Sequence, residues 1–449
     1  MNVSSKKCNF VSEIKIWNLM KRQIYSELTE WKNRNDRKPL VLLGARQVGK
    51  TWIMREFGKQ EYVNVAYINC DDEPRAKELF AVDYDMDRIL LSIQVITGVK
   101  IVPGKTLVIL DEIQEVKRGL HSLKYFYEKM PECHVMVAGS LLGISLRQGE
   151  SFPVGKVDIL NMYPMNFAEF LDAMGKSELK EIIYSCEWKI IDLMRDKLEN
   201  FLRQYHYVGG MPNVVSKYVK HSDLQEVRRE QQAILEAYRR DISKHTTERE
   251  SIRIGQVLVS LPSQLAKENK KFIYGAVRKG ARATDFELAI QWLVDAGIVH
   301  RIPKVSEVRK PLKFYASPDA FKMFLLDCGL LGCMAGTTAS DMLVDNKVFT
   351  EFKGAFSEQF VAQELVSMGA TPYYWSNERT PAEIDFVIQH KERVVPIEVK
   401  ASTNVRSKSL AQFIKDNEGL KGLRLSLCSY IDQEWMENVP LYALSGWMR

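Results

Sequence analysis

The chain has 449 residues, of which 46% are hydrophobic and 27% charged, and a formal net charge of +6. That length exceeds one ordinary core, so roughly two to four domains are expected, and the balance is globular rather than disordered. No apolar run approaches the roughly 18–20 residues of a membrane span, and the N-terminus leads into no signal-peptide core. Seven cysteines, an odd number with no close pair beyond Cys328 and Cys333, argue for reduced thiols and against a zinc knuckle. The histidines form no i, i+4 pair, which argues against a histidine metal site. A cytoplasmic location with no membrane partner follows as the expectation. The modest positive charge permits nucleic-acid binding without demanding it.

Residues 14–35 read as an amphipathic helix, with Ile16, Leu19, Ile24, Leu28 and Trp31 on one side. The polar break Asn33–Arg37 then leads to Leu40-Val41-Leu42-Leu43, a buried-strand pattern that runs directly into Gly44-Ala45-Arg46-Gln47-Val48-Gly49-Lys50-Thr51. Two glycines flanking four residues, followed by Lys-Thr, fit the phosphate-binding loop. The glycines let the backbone fold its N–H groups around a phosphate at the start of a helix. Lys50 neutralises β- and γ-phosphate oxygens, and the Thr51 hydroxyl is a ligand for Mg²⁺. A chance match is the alternative, and the preceding strand weighs against it. The pattern predicts binding of a nucleoside triphosphate.

Alternating strand and helix patterns continue to about residue 165, as a parallel sheet with helices on both faces requires. Tyr62–Ile68 reads as a strand, followed by a helical stretch to about 98. Thr106–Leu110 reads as a buried strand that ends in Asp111 and Glu112. Asp111 is placed to hold Mg²⁺ through water, and Glu112 to polarise the attacking water, so the site reads as hydrolytic. His134–Gly139 forms a third such run and closes on Ser140, either a sensor of the γ-phosphate and water or a helix cap.

Residues 166–249 read as mostly helical, interrupted at Tyr207–Pro212. From 250 to 335 the pattern changes. Helices near Val257–Leu265 and Asp285–Ala296 precede two strand-like pieces, Ile298–Ile302 and Leu312–Tyr315, which suggests a winged helix. Between Lys267 and Lys313 basic residues outnumber acids about two to one. This stretch fits either a contact with DNA phosphate or a solvated loop face. In the last segment, 336–449, a helix over Phe356–Met368 precedes Ile384–Ile388 and Val394–Lys400. Residues two apart on a strand share a face, so Glu398 and Lys400 point together, as do Glu383 and Asp385. An adjacent hairpin brings Asp385 beside Glu398. Acids sharing one face call for a cation between them, and Glu358 on the helix adds a third. Glu358, Asp385 and Glu398 with Lys400 outline a metal-dependent phosphodiester cleavage centre using Mg²⁺ or Mn²⁺; an ordinary exposed hairpin is the alternative.

The motifs Gly-Ala-Arg-Gln-Val-Gly-Lys-Thr at 44–51, Leu-Asp-Glu-Ile-Gln at 110–114, Ala-Gly-Ser at 138–140 and Tyr-Pro-Met-Asn-Phe-Ala-Glu-Phe at 163–170 occur in one order. Gly-Gly-Met-Pro at 209–212, Arg-Arg-Asp-Ile at 239–242, Ala-Glu-Ile-Asp-Phe at 382–386 and Ile-Glu-Val-Lys at 397–400 follow them. Together they resemble a prokaryotic family of AAA-type ATPases with a C-terminal domain of uncertain function, over nearly the whole chain after residue 14. By that resemblance, Gly210 and Pro212 correspond to the Gly-x-Pro motif that packs on adenine in archaeal-ATPase and STAND relatives. The C-terminal part resembles PD-(D/E)XK nucleases, with Glu358, Asp385, Glu398 and Lys400 in matching positions. Where relatives carry Gly-Arg, this chain has Gly155-Lys156, which leaves Arg147, Arg239 and Arg240 as candidates for an arginine acting in trans.

The resulting expectation is an α/β chain with five parts: an N-terminal helical segment (1–36), a P-loop NTPase core of AAA-like type (37–165), a helical lid (166–249), a winged-helix-like domain (250–335) and a restriction-endonuclease-like domain (336–449). Its function is read as Mg²⁺-dependent ATP hydrolysis coupled to a DNA-directed, nuclease-like domain in a homo-oligomer. A nucleotide-controlled assembly switch with an inactive nuclease-like interaction domain is the alternative. Protein remodelling would need an aromatic pore loop, and none is convincing.

Overall fold

A strand of four aliphatic residues survives in water only if both its edges are paired and both its faces are covered. In the computed structural model, which describes residues 21–139, 142–145, 152–267, 270–343, 350–377, 379–380, 382–401 and 407–449, β1 (Leu40–Leu43) meets both conditions. It pairs in parallel with β4 (His134–Ala138) on one side and β5 (Asp158–Asn161) on the other. The sheet is completed by β2 (Asn64–Asn69) and β3 (Thr106–Asp111), in the order β2-β3-β4-β1-β5. Every residue of β3 and β4 is buried, whereas the edge strand β5 alternates, with Ile159 and Asn161 outward. The apolar runs thus mark the central strands and the alternating one marks an edge.

Around this sheet lie α1 (Ile24–Asn33), α2 (Lys50–Glu61), α3 (Met86–Thr97) and α4 (Gly119–Lys129). Of the residues read as an N-terminal helix, Ile24, Leu28 and Trp31 form the buried face of α1, and Ile16 and Leu19 lie outside the described residues. Helix α3 shows local signals agreeing at both ends. Asp85 accepts the N–H groups of Asp87 and Arg88 at the start, and Gly98 takes φ +68 at the end. This sheet and its helices make up one compact unit, Arg22–Tyr163 with Asp295–Gly297.

The other compact unit contains Pro164–Val294 and Ile298–Arg449. Its helices include α5 (Phe167–Ala173), α6 (Arg195–Val208), α7 (Pro212–His221), α8 (Leu224–His245), α9 (Glu248–Leu265), α10 (Ala283–Asp295), α11 (Cys328–Met334) and α12 (Thr350–Ser367). An eight-stranded sheet runs β12-β13-β11-β10-β9-β8-β6-β7. Its strands are β6 (Val299–Val305), β7 (Ala316–Leu325), β8 (Tyr373–Ser376), β9 (Glu383–His390), β10 (Arg393–Val399), β11 (Gly422–Ser426), β12 (Ile431–Asp432) and β13 (Met436–Pro440).

Two features of this sheet differ from the sequence reading. Leu312–Tyr315 is a 3₁₀ turn, and the second strand of the hairpin is the longer β7 that follows it. The hairpin also does not stand apart as a wing, because β6 pairs in parallel with β8 at Lys304–Tyr374 and so extends the terminal sheet. The segments 166–249, 250–335 and 336–449, apart from Asp295–Gly297, accordingly lie within one unit. Non-local pairing of this kind leaves no local sequence signal.

A buried polar network joins the helices of this unit. The Tyr205 hydroxyl donates to Met165 O at 2.5 Å, and the Gln363 amide donates to the Tyr205 hydroxyl at 2.7 Å. Gln363 accepts from Cys328 N–H at 2.9 Å, and Gln359 both accepts from Leu325 N–H and donates to Leu325 O, at 3.0 and 2.6 Å. The Asp327 carboxylate accepts Gly210 N–H at 2.6 Å, and Gly210 O accepts Met165 N–H at 2.7 Å. Glu364 accepts Phe167 N–H at 2.8 Å, and burial pushes its carboxyl up to about 8.

Two outcomes are expected from this packing. A Cβ on Gly210 would fall 1.9 Å from Met165 O, against the Met165 backbone, whereas one on Gly255 in α9 meets nothing within 4 Å. Gly210→Ala should cost about 3 kcal/mol or more in urea unfolding, and Gly255→Ala should be neutral or stabilising by about 0.5–1 kcal/mol. Glu364 keeps its proton when folded and loses it when unfolded as pH rises from its ordinary value towards 8, so its contribution to stability falls over that interval. Glu364→Gln cannot ionise, and its melting temperature should exceed the wild type's at pH 8–9 by more than at pH 5.

Candidate functional site

At the C-terminal end of β1 the chain turns through Gly44 (φ +145), Gln47 (φ +67) and Gly49 (φ +101) before α2 begins at Lys50. Positive-φ residues interspersed along a loop curl its backbone into a nest suited to an anion. Gly44 is required sterically as well, since a Cβ there would sit 2.2 Å from Met162 O. Ala45 and Val48 are buried, while Arg46 and Gln47 face outward. Arg22 fixes the loop from behind: its guanidinium donates to Val48 O at 2.9 Å and to Tyr163 O at 2.6 Å.

The Lys50 ammonium donates to Gly44 O at 2.7 Å and Ala45 O at 2.8 Å. The loop's own carbonyls here stand in for phosphate oxygens. Lys50 is 7% exposed, and burial draws its pKa down to about 8, with Glu112 and Asp111 pulling the other way.

The Thr51 hydroxyl donates to Asp111 Oδ2 at 2.6 Å, and the Tyr67 hydroxyl donates to the same oxygen at 3.2 Å. Burial raises the Asp111 carboxyl above its usual range. A hydroxyl and a carboxylate oxygen converging at the start of α2, beside a phosphate nest, form an all-oxygen donor pair of the kind Mg²⁺ takes. The residues fit the ion.

Glu112 follows at φ +52 and ψ +45, a left-handed position that costs a non-glycine residue about 1 kcal/mol or more. Its Oε2 accepts the Gln114 amide at 2.6 Å. The other end of Gln114 abuts the end of β4, because a Cβ on Gly139 would fall 1.9 Å from Gln114 Oε1. Gln114 thus bridges the carboxylate after β3 and the glycine after β4. Ser140 lies outside the described residues, as does Arg147.

The other expected residues lie in the second unit. Gly210 and Pro212 are buried; Gly210 has both backbone polar groups paired internally, and Pro212 opens α7 as its first residue. Gly210 has no room for any side chain. Arg239 and Arg240 are exposed on α8, with Arg240 beside Glu236 at 3.5 Å, and Lys156 pairs with Glu128 at 3.2 Å.

The terminal acids are brought together in part. Glu358 from α12 and Glu383 and Asp385 from β9 converge on Lys322 of β7. Lys270 pairs with Glu358 at 2.5 Å. Burial alone would raise the Glu358 carboxyl, but Lys322 and Lys270 outweigh it and hold it below its ordinary value. Burial and then Glu358 push Asp385 up. Glu398 is paired instead with Lys400 at 2.9 Å, and Asp385 Oδ2 accepts Val399 N–H at 2.8 Å. Among the described residues, no three Asp, Glu, His or Cys side chains form a group able to hold a metal ion. The expected metal set of Glu358, Asp385 and Glu398 is therefore not assembled, because a lysine stands among the first two and another takes the third. A cavity of about 880 Å³ elsewhere in this unit is lined by Arg309, Lys310, Arg393 and Trp447, away from these acids.

Sequence reasoning missed Arg22, Tyr67, Gln114 and Lys322 as site residues. Lys322 had a visible signal, a lone charge within Ala320-Phe321-Lys322-Met323-Phe324-Leu325. Gln114 lay inside a quoted motif, while Arg22 and Tyr67 carry no pattern.

Residues 36–171 match a family described as an AAA domain. This segment has the parallel α/β fold of a P-loop ATPase core and is similar to that family. Residues 199–341 and 353–443 match two families described only as domains of unknown function, DUF8612 and DUF4143. No curated protein matches the chain. Similar solved structures include a Walker-type ATPase of Pyrococcus abyssi, with 14% identity over 70% of this chain and 96% of that one at a TM-score of 0.41. The Aeropyrum pernix Orc1 protein in complex with DNA follows at 11% identity, 70% and 91% coverage and a TM-score of 0.29. The Thermotoga maritima RuvB Holliday junction branch migration motor gives 13% identity, 63% and 90% coverage and a TM-score of 0.27. Among the described residues, no helix is long and apolar enough to cross a membrane.

Within the AAA domain the contact between Gln114 and Glu112 makes a specific expectation. Glu112→Gln should keep ATP binding and lower turnover by about 10²-fold or more, the usual worth of a positioned base. Gln114→Ala frees the carboxylate it holds and should change turnover at saturating ATP several-fold while leaving the ATP-induced thermal shift within about 1 °C of wild type. Steady-state phosphate release and thermal shift on the three proteins check both.

Proposed function

We propose that the chain is a Mg²⁺-dependent ATPase whose nucleotide cycle drives a DNA-directed second unit in a homo-oligomer. The observation that carries the ATPase part is the convergence of Lys50, Thr51, Asp111 and Glu112 at the end of the parallel sheet. In this reading the loop from Gly44 to Gly49 binds the β-phosphate through its backbone, and Lys50 exchanges its loop carbonyls for β- and γ-phosphate oxygens. Thr51 gives up its bond to Asp111 so that the two hold Mg²⁺, which when bound neutralises charge on the phosphates. Glu112 orients the attacking water and takes its proton, with Gln114 setting the carboxylate's position.

Support for DNA as the partner is chemical: the net charge of +6 and the basic stretch from Lys267 to Lys313. Some of these cations have internal duties, however. Lys270 neutralises Glu358, and Arg301 stacks over Phe321 at 4.0 Å. Arg239 and Arg240, exposed on α8, are the described residues read as able to complete a neighbouring copy's site; Arg147 remains a further candidate. A second reading, a nucleotide-controlled switch whose terminal domain binds without cutting, is favoured by Lys322, which sits among the acids that cleavage would need.

The test is ATP turnover with and without linear, branched and single-stranded DNA, in the wild type and Glu112→Gln, with sizing in a non-hydrolysable analogue. Several-fold stimulation by DNA that disappears in Glu112→Gln supports the DNA-directed reading. Slow turnover indifferent to every DNA, with nucleotide-dependent assembly, supports the switch.

A further inference from the structure

Three carboxylates and one ammonium meet where β7, β9 and α12 come together. Lys322 is fully buried, its ammonium ion-paired with Glu383 and standing 3.6 Å from Glu358 Oε2 and 3.9 Å from Asp385 Oδ1. Its position is set by backbone rather than by side-chain freedom. Lys322 pairs with Ile302 of β6 and bridges Lys271 on its other side, and its ammonium lies 5.1 Å from the Tyr374 ring and 6.0 Å from the Phe386 ring. A fully buried stem between two strands and two rings cannot swing the charge into water.

We propose that Lys322 is the resident counter-ion of this cluster, occupying the place a divalent metal would take, so that the terminal domain is a metal-independent module that does not cleave phosphodiesters. The argument is one of charge and of acceptor capacity. Lys322 and Lys270 offset two of the three charges of Glu358, Glu383 and Asp385, and Lys400 offsets Glu398. Asp385 spends its second oxygen on Val399 N–H. Glu358 Oε2 and Glu398 Oε2 accept no hydrogen bond, the condition a cation relieves, and Lys322 already faces the first of them. A divalent ion entering here meets the Lys322 ammonium 3.6 Å from Glu358 and 3.9 Å from Asp385, with Lys400 beside Glu398. Like charges so close repel one another strongly.

The inference does not rest on the ATPase reading, and its test needs no turnover. The nucleotide-free full-length protein is titrated with Mn²⁺ and free ion is followed by electron paramagnetic resonance, for wild type, Asp385→Asn and Lys322→Ala. Wild type and Asp385→Asn should take up the same amount, because no terminal ion is present to lose. Lys322→Ala should gain about one ion per chain, together with a melting temperature that falls in EDTA and recovers in Mn²⁺. If wild type takes up one ion more than Asp385→Asn, or Glu358→Gln lowers wild-type uptake by one, the proposal is overturned. Should Lys322→Ala not fold, the wild-type comparison with Asp385→Asn and Glu358→Gln still decides. A folded Lys322→Ala that gains no ion and melts alike in EDTA and Mn²⁺ also overturns it.

Discussion

Charge withdrawn from water has to be answered inside the chain, and the places where this sequence does so organise both of its units. Lys50 is held by two loop carbonyls, Asp111 by two hydroxyls, and Lys322 by three carboxylates. The cost of leaving any of them unpartnered is several kcal/mol per ion, comparable with the whole stability of a domain. In the AAA domain the answer is provisional, since the carbonyls and hydroxyls are partners that a phosphate and a metal ion can replace. Around Lys322 the answer is permanent, since the cation is covalently part of β7 and its side chain is fully buried. The same electrostatic requirement produces an exchangeable site in one unit and a closed one in the other.

This contrast explains which parts of the structure were legible in the sequence. The phosphate loop and the Asp111-Glu112 pair are local: each needs only a strand, a turn and a helix start, and their residues are consecutive. The parallel core was legible for the same reason, because buried central strands read as unbroken apolar runs. The AAA-domain match to residues 36–171 and the strand order found here agree with that reading. The terminal cluster is non-local. Glu358, Glu383 and Asp385 could be placed near one another from periodicity and one hairpin, but the residue that decides their chemistry comes from β7, over 30 positions upstream of Glu358.

The glycine-proline element shows how far packing by itself constrains the composition of a motif. Gly209–Pro212 reads as a nucleotide motif by family likeness, yet in its own unit Gly210 is fixed by Met165 and Asp327, with no space for a side chain. Its conspicuous composition is demanded by close backbone approach, which glycine alone allows. The neighbouring Tyr-Pro-Met-Asn stretch is tied into the same contacts through Met165 and the Asn166–Glu169 capping box. These motifs are the joints of a helical scaffold, whatever else they touch when nucleotide is present.

The pairing of β6 with β8 bears on how this architecture can be divided. The family match at the C-terminus begins at residue 353, after β6 and β7 have been made. A fragment cut there keeps Glu358, Glu383 and Asp385 and leaves behind Lys322 and Lys270. It also strips the partner from β8, turning an interior strand into an open edge that invites pairing with other chains. Sequence families delimited by similarity and pieces able to fold alone are therefore different objects in this chain. A recombination event that moved the terminal module intact would have to carry the hairpin that begins at Val299, and with it the lysine that keeps the acids quiet.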